Sequence, residues 1–328
     1  MTIAVTGLSR DLTAAEAMQP GAAAVGRVLA QLDAYVSAVL KHQNLRPMRT
    51  TLLDIFPDRV SVKLTLPLQN AVIVFAPEGD LLTHATFLRA VAVLREPVAA
   101  RLVAHDPSGG IIPLAWALEG YLAGHTLDRV QDPALLRLAA RRVGQMLRRI
   151  HQLPVAGYGA PSARGRWAER WASALEQRLR LAGGRARLAA VIGTDLAERF
   201  NCATIMHADL VIAAPHVLHG AITPERVLVS GEQAPRVEAL LRPSAPIGGD
   251  PLYDLACGLS PRQPVAFREG IAEGYASAGA LDTTQERRLR RLRLFVGVVE
   301  ALDVRVDVPD ERLAAAVEVA IGALSIEH

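Results

Sequence analysis

Lysine is nearly missing from this chain. Lys41 and Lys63 are the only two in 328 residues, so a site that grips phosphates with a lysine ammonium has few candidates. Cysteine is as scarce. Cys202 and Cys257 cannot build a disulfide framework, and neither lies in a metal-type spacing. No stretch reaches the apolar length of a membrane span without a charge or a proline, so no membrane partner is expected. The opening Met-Thr-Ile-Ala-Val-Thr lacks a charged segment followed by a long apolar run, so no secretory signal is expected and cytoplasm is the expected compartment. A formal net charge of only +3, without a dense basic stripe, argues against dedicated nucleic-acid binding. The one basic cluster is Arg287, Arg288, Arg290, Arg291 and Arg293. Leu289, Leu292, Val296 and Val299 form an apolar face beside it, so the arginines read as the solvated face of a helix.

What is abundant is Ala, Leu, Val and Arg, a composition that favours helix. The length suffices for two lobes. Pro20 and Gly21 open a helix whose apolar residues Val25, Val28, Leu29, Leu32, Val36, Val39 and Leu40 form one stripe. The stripe must pack on something, and the sequence leaves open whether that is its own domain or a second copy through helix 21–42. Residues 50–56, 60–66 and 71–76 are rich in β-branched and apolar side chains and are punctuated by Pro57-Asp58 and by Pro67 to Asn70. They read as three antiparallel strands. A helix over 81–94 and two further strands over 100–105 and 111–118 complete a small α+β lobe.

Helices dominate after Glu119. Residues 134–152 place Leu135, Leu138, Val143, Met146, Leu147 and Ile150 on one face. Trp167, Trp171, Leu175 and Leu179 recur at helical spacing and read as core. The helices are interrupted by a short β interlude over 217–241 and resume to the C-terminus, with breaks near Gly279 and Pro309.

The interlude carries the chemistry. It begins Val-Leu-His-Gly-Ala-Ile-Thr-Pro-Glu-Arg-Val-Leu-Val at 217–229, continues with a strand over 236–241, and leads to Gly249-Asp250-Pro251-Leu252-Tyr253-Asp254-Leu255-Ala256. This order resembles the aminoglycoside phosphotransferase and choline kinase family. Three outer segments fit the resemblance: Leu118-Glu119-Gly120-Tyr121, Val143 to His151, and Glu273-Gly274-Tyr275. The resemblance spans roughly residues 50–280. It implies an α+β, protein-kinase-like fold of two lobes, with a small antiparallel-sheet N-lobe and a large, mainly helical C-lobe. The expected organisation is a helical extension over 1–48, the N-lobe over 49–118, and the C-lobe over 119–328 with its loop region at 217–256.

The resemblance also assigns roles, and several reactive ones fall on unreactive residues. The family's catalytic Asp falls on Ala221, its metal-binding Asn on Arg226, and its second metal ligand on Arg242, eight residues before Asp250. In the small lobe the phosphate Lys position falls in Val74-Phe75-Ala76, with Phe75 in the cleft, and its Glu partner falls on His84. Lys63 lies one strand too early. Phosphoryl transfer needs an acid at the attacking hydroxyl, metal ligands and a phosphate-holding cation. Two like charges ~4 Å apart repel by about 4 kcal/mol at an effective dielectric near 20, and a divalent cation beside two guanidiniums fares worse. His219, Asp250 and Asp254 remain as scaffold.

Two fallback acids stay open: Asp209, in His207-Ala208-Asp209-Leu210, and Glu238, if the strand register slips by four. A metal set of His207, Asp209, His216 and His219 is disfavoured by its spacing. Arg226 and Arg242 could hold an anion directly, or pair with Glu225, Glu238 or a neighbouring acid and close the cleft. The leading expectation is a catalytically inactive phosphotransferase homologue that binds a protein partner or a small molecule in the inherited cleft, with no metal and no cofactor. The alternative is an ATP- and Mg-dependent phosphotransferase acting on a small hydroxylated compound.

Overall fold

The computed structural model describes residues 22–231, 234–303 and 309–325. Pro20, Gly21 and the opening segment lie outside the described residues, as do positions 232–233 of the turn before the 236–241 strand. The described chain divides into two compact units. One runs up to Ala92 and includes Ala99–Ala123; the other comprises Val93–Val98 and the chain from Gly124 onward.

The first unit opens with α1 (Ala22–Ala30) and α2 (Leu32–His42). The single helix expected here is broken at Gln31, whose φ of −113° leaves the helical region, and the two pieces meet at 65°. No single described helix is long and apolar enough to cross a membrane. The pair is apolar because it lines a core. Val25, Val28, Val36, Val39 and Leu40 join Val60, Val62, Leu64, Ile73, Phe75 and Trp116 in one buried cluster. Each such side chain contributes roughly 1.5–3 kcal/mol when fully buried. The stripe is therefore satisfied within its own unit, and the face expected for a homodimer through helix 21–42 is covered by this chain's own sheet.

That sheet has five strands: β1 (Arg49–Phe56), β2 (Arg59–Thr65), β3 (Ala71–Phe75), β4 (Leu102–Asp106) and β5 (Trp116–Gly120), with α3 (Leu82–Val91) after β3. They lie in the order β1-β2-β3-β5-β4 with every neighbour antiparallel. The strand expected over 111–118 begins only at Trp116, because Pro113 has no N–H for the ladder. The boundaries at 48/49 and 118/119 also differ from the structure. The N-terminal helices share the sheet's core rather than forming an extension, and a cut at 118 would divide β5.

The second unit contains β6 (His125–Thr126), α4 (Pro133–Ile150), α5 (Trp171–Leu181), α6 (Gly184–Ile192), α7 (Thr194–Ala203), β7 (His216–Val217), β8 (Val227–Ser230), β9 (Arg236–Leu240), β10 (Gly248–Gly249), α8 (Leu252–Gly258), α9 (Val265–Ala276), α10 (Thr283–Asp303) and α11 (Glu311–Ser325). Strands β6, β8 and β9 form one small antiparallel sheet, and β7 pairs with β10. Trp167 precedes its expected helix, which starts at Trp171 after an extended segment whose Ala168 bridges to Tyr158.

Helix α4 starts where its sequence says it should. Asp132 accepts hydrogen bonds from Ala134 N and Leu135 N, and Pro133 occupies the first turn, where no N–H is needed. Its apolar face packs on α9 at a seam of glycines. A Cβ on Gly274 would stand 1.9 Å from Arg141 O. We therefore expect Gly274→Ala to destabilise the protein by about 1–3 kcal/mol or more. Gly297→Ala in α10, where a Cβ meets nothing within 4 Å, is expected to be neutral or to stabilise by up to about 1 kcal/mol. Paired thermal melts of the two variants check both signs.

Candidate functional site

The segment between β7 and β8 takes a shape that its backbone alone explains. Gly220 has a φ of +80°, and a Cβ there would stand 1.8 Å from Ser244 O, so no other residue fits without moving that chain. Asp254, in the first turn of α8, is fully buried. Its Oδ2 accepts from His219 N and its Oδ1 from Gly220 N, both at 2.7 Å. His151 Nε2 lies 3.0 Å from the same Oδ2, and His151 Nδ1 lies 3.1 Å from the Tyr275 hydroxyl. Hydrogen bonds to a charged group contribute roughly 1.5–3 kcal/mol each, so this carboxylate fixes the turn. His219 Nε2 donates to Leu241 O at 3.0 Å and ties the loop to the end of β9. Burial brings the His219 pKa down to about 4; Asp254 resists this and Arg226 adds to it. The ring is therefore neutral at pH 7.

Beyond Gly220 stands Ala221, whose methyl neither accepts a proton nor binds a metal. Arg226 and Arg242, from either end of the β8–β9 hairpin, are brought together. Arg226 Nη1 donates to Arg242 O at 2.5 Å, and Arg242 Nη2 donates back to Glu225 O. The Arg226 guanidinium thus holds the Arg242 backbone, and the Arg242 guanidinium holds the carbonyl of the residue before Arg226. Arg242 is held at a φ of +54°, a conformation unfavourable for a residue with a Cβ. The acids expected to pair with these arginines are engaged elsewhere. Glu225 Oε2 accepts from Thr223 Oγ1 at 2.8 Å. Glu238 accepts from Arg236 Nε at 2.9 Å and from Ser230 Oγ, and these contacts hold its carboxyl below the usual range.

Asp209 is committed as well. It pairs with Arg291 at 2.9 Å and lies 3.5 Å from His207 Nδ1. Although burial opposes the shift, Arg291 helps pull its pKa down. Asp250 is fully buried. Its Oδ1 accepts from Leu252 N at 3.0 Å, and its Oδ2 lies 2.8 Å from Arg288 Nε. Burial pushes the Asp250 pKa up, against the pull of Arg288. The reading of residues 287–293 as a solvated face therefore fails at Arg288 and at Arg291, which is only 4% exposed; both reach inward to carboxylates. Among the described residues, no group of three or more His, Cys, Asp and Glu could hold a metal ion.

In the first unit, His84 Nε2 lies 3.0 Å from Glu119 Oε2. Register sets Val72 opposite Glu119 and Phe75 opposite Trp116. Successive strand residues face opposite sides, so Phe75 points away from Glu119 and into the α1–α2 core, and its grouping with His84 is corrected. Lys63 lies opposite Val72, and its Nζ stands 3.9 Å from the centre of the Tyr121 ring. The roles of His151, Tyr275 and Arg288 were missed in the sequence. A histidine closing the apolar face of α4 was the available signal for His151.

Residues 64–293 match the phosphotransferase enzyme family. No curated protein matches the chain. Solved structures share the fold. A thermostable mutant of aminoglycoside phosphotransferase APH(4)-Ia, complexed with AMP-PNP and hygromycin B, aligns at a TM-score of 0.65 and 16% identity, over 88% of this chain and 97% of that one. APH(2")-IIia with GDP and kanamycin aligns at 0.53 and 14%, over 90% and 99%. A protein assigned as a fructosamine-3-kinase, from Haemophilus somnus 129PT, aligns at 0.56 and 12%, over 88% and 96%. The fold is thus the kinase-like phosphotransferase fold, with an antiparallel-sheet lobe and a helical lobe.

The His219 burial gives a pH signature. An unfolded histidine takes its proton near 6.5, whereas the folded one waits until about 4. The unfolded state thus binds more protons between those values, and stability falls as pH drops through that window, by about 3 kcal/mol in total. The raised pKa of Asp250 acts in the opposite sense nearer the carboxylate range. Urea midpoints are expected to fall from pH 7 to pH 5 in the native protein and to fall measurably less in His219→Gln.

Proposed function

The chain belongs to the phosphotransferase enzyme family, and from that premise we propose that it binds its ligand, a small molecule or a protein partner, without phosphorylating it. The observation that carries this reading is the clasp of Arg226 and Arg242 beside Ala221. The family resemblance puts an acid and two metal ligands at these three positions. Here they supply a methyl group and two guanidiniums, each tied to backbone carbonyl oxygen.

The residues do not fit a magnesium nucleotide. Two cations stand where a divalent ion requires anionic or neutral oxygen ligands. The electrostatic penalty for such a placement is several kcal/mol even at a generous effective dielectric. The neutral His219 offers no compensating negative charge. Asp254 has its lone pairs engaged by His219 N, Gly220 N and His151. The loop keeps its shape while lacking the groups that would act on a substrate hydroxyl.

A second reading, an ATP-dependent phosphotransferase for a small hydroxylated compound, draws support from family membership and from Lys63, which shares its sheet face with Glu119. It requires Asp209, Glu238 or Asp250 to leave existing partners. Asp209 and Asp250 would each strand an arginine in doing so, and breaking a buried pair costs roughly 3–5 kcal/mol.

The deciding measurement is thermal melting with ATP, with and without Mg²⁺, alongside an assay for ADP formation. A ligand at a hundred times its Kd stabilises the folded state by about 2.7 kcal/mol, enough for a clear rise in Tm. We expect no Mg²⁺-dependent rise and no ADP in the native chain. The combined variant Ala221→Asp, Arg226→Asn, Arg242→Asp is expected to gain a Mg²⁺-dependent shift. A Mg²⁺-dependent shift or turnover in the native protein overturns the binding-only reading.

A further inference from the structure

The second unit holds a cavity of about 250 Å³ lined in part by His151. Its wall includes Arg148 of α4, His151 and Gln152 just after that helix, Asp250 before α8, Tyr275 of α9 and Arg288 of α10. Ala221, Arg226 and Arg242 do not line it; Asp250, an acid of the second reading, does. The volume falls below the roughly 300–1,000 Å³ of pockets for drug-sized ligands, which limits the occupant to a small molecule or a single charged group.

The charge of the lining is unbalanced. Asp250 is its one carboxylate, and Arg288 matches it at 2.8 Å. That pair is close but misaligned: neither Asp250 Oδ2 nor Arg288 Nε has a hydrogen-bond partner, although both atoms are buried. The carboxylate therefore neutralises Arg288 without using its hydrogen-bonding edge, and the side chain is 19% exposed. Arg148 meets no carboxylate in the lining. Its Nε donates to Tyr275 O and its Nη2 to Gly279 O, both at 3.0 Å, and its guanidinium lies 4.5 Å above the Tyr275 ring. Carbonyl oxygens and an aromatic face orient a guanidinium but leave its full charge in place. Leaving His151 aside, the lining carries one net positive charge in a concave site, where low-dielectric walls focus the field on a counter-ion.

We propose that this cavity is a binding site for a small oxyanion, a phosphate or carboxylate group held between Arg148 and Arg288, with Gln152 as a neutral donor. Guanidiniums suit this ligand because their fork of N–H groups matches two oxygens at once. The site is metal-free and owes nothing to Ala221, Arg226 or Arg242, so it stands or falls separately from the function proposed above.

The test is calorimetric titration of the full chain with inorganic phosphate and, separately, with citrate, at constant ionic strength set with chloride. Saturable binding of at least one is expected. Phosphate alone identifies a phosphate site and citrate alone a carboxylate site. Ala278→Trp, which fills the cavity mouth without touching the ion pair, is expected to abolish the signal. Arg148→Gln is expected to weaken binding at least about tenfold. Arg288→Lys keeps the charge beside Asp250 but loses the fork, and is expected to weaken binding while preserving the melting transition. If neither anion saturates the native chain, or if Arg148→Gln and Arg288→Lys both bind like it, the site is not there.

Discussion

One buried carboxylate organises the second unit. Asp254 takes the N–H groups of His219 and Gly220 and the ring of His151, which in turn reaches Tyr275 on α9. Helices α4, α8 and α9 and the loop after β7 are thereby referred to a single point. The arrangement works because every partner is also buried or backbone. A charge removed from water must be met by several donors at once, and here it is. The Gly274 seam serves the same end, since α4 can bring His151 to Asp254 only if it lies close against α9.

Much of the fold was legible in the sequence, for identifiable reasons. Richness in β-branched and apolar residues marked β1 to β3, and the turn prolines bounded them. The one-sided apolar face over 134–152 marked α4. The order His219-Gly220, hairpin, Asp250-Pro251, Asp254 pointed to the fold class through its resemblance to a known family, and the buried brace at Asp254 uses those same residues. What escaped had no local signature. The break at Gln31 divides one apolar stripe, and nothing in the stripe itself announces it. The late start of β5 was available in Pro113 and was outweighed by the apolar residues around it.

The site divides along the same line. Positions 219, 221, 226, 242, 250 and 254 were placed by the family resemblance, and in the structure His219, Arg226 and Arg242 lie around the loop and the ends of the β8–β9 hairpin. Their partners could not be placed, because partnership depends on distant chain. Arg288 and Arg291 belong to a run of arginines that looks solvated from the sequence alone. Only the packing of α10 beside Asp250 and Asp209 turns them inward. Phe75 was misassigned because spacing locates a residue on a strand without saying which face it takes until the register is known.

The brace around Asp254 has a consequence for how such a protein can change. Its grips fall on main-chain hydrogens of His219 and Gly220, and main chain is the part of a protein that substitution leaves alone. Position 221, one step along, bears none of that load. The turn is therefore a mould whose outline is indifferent to what is cast at its tip. A reactive group can be lost there, or put back, without the surrounding architecture registering the exchange.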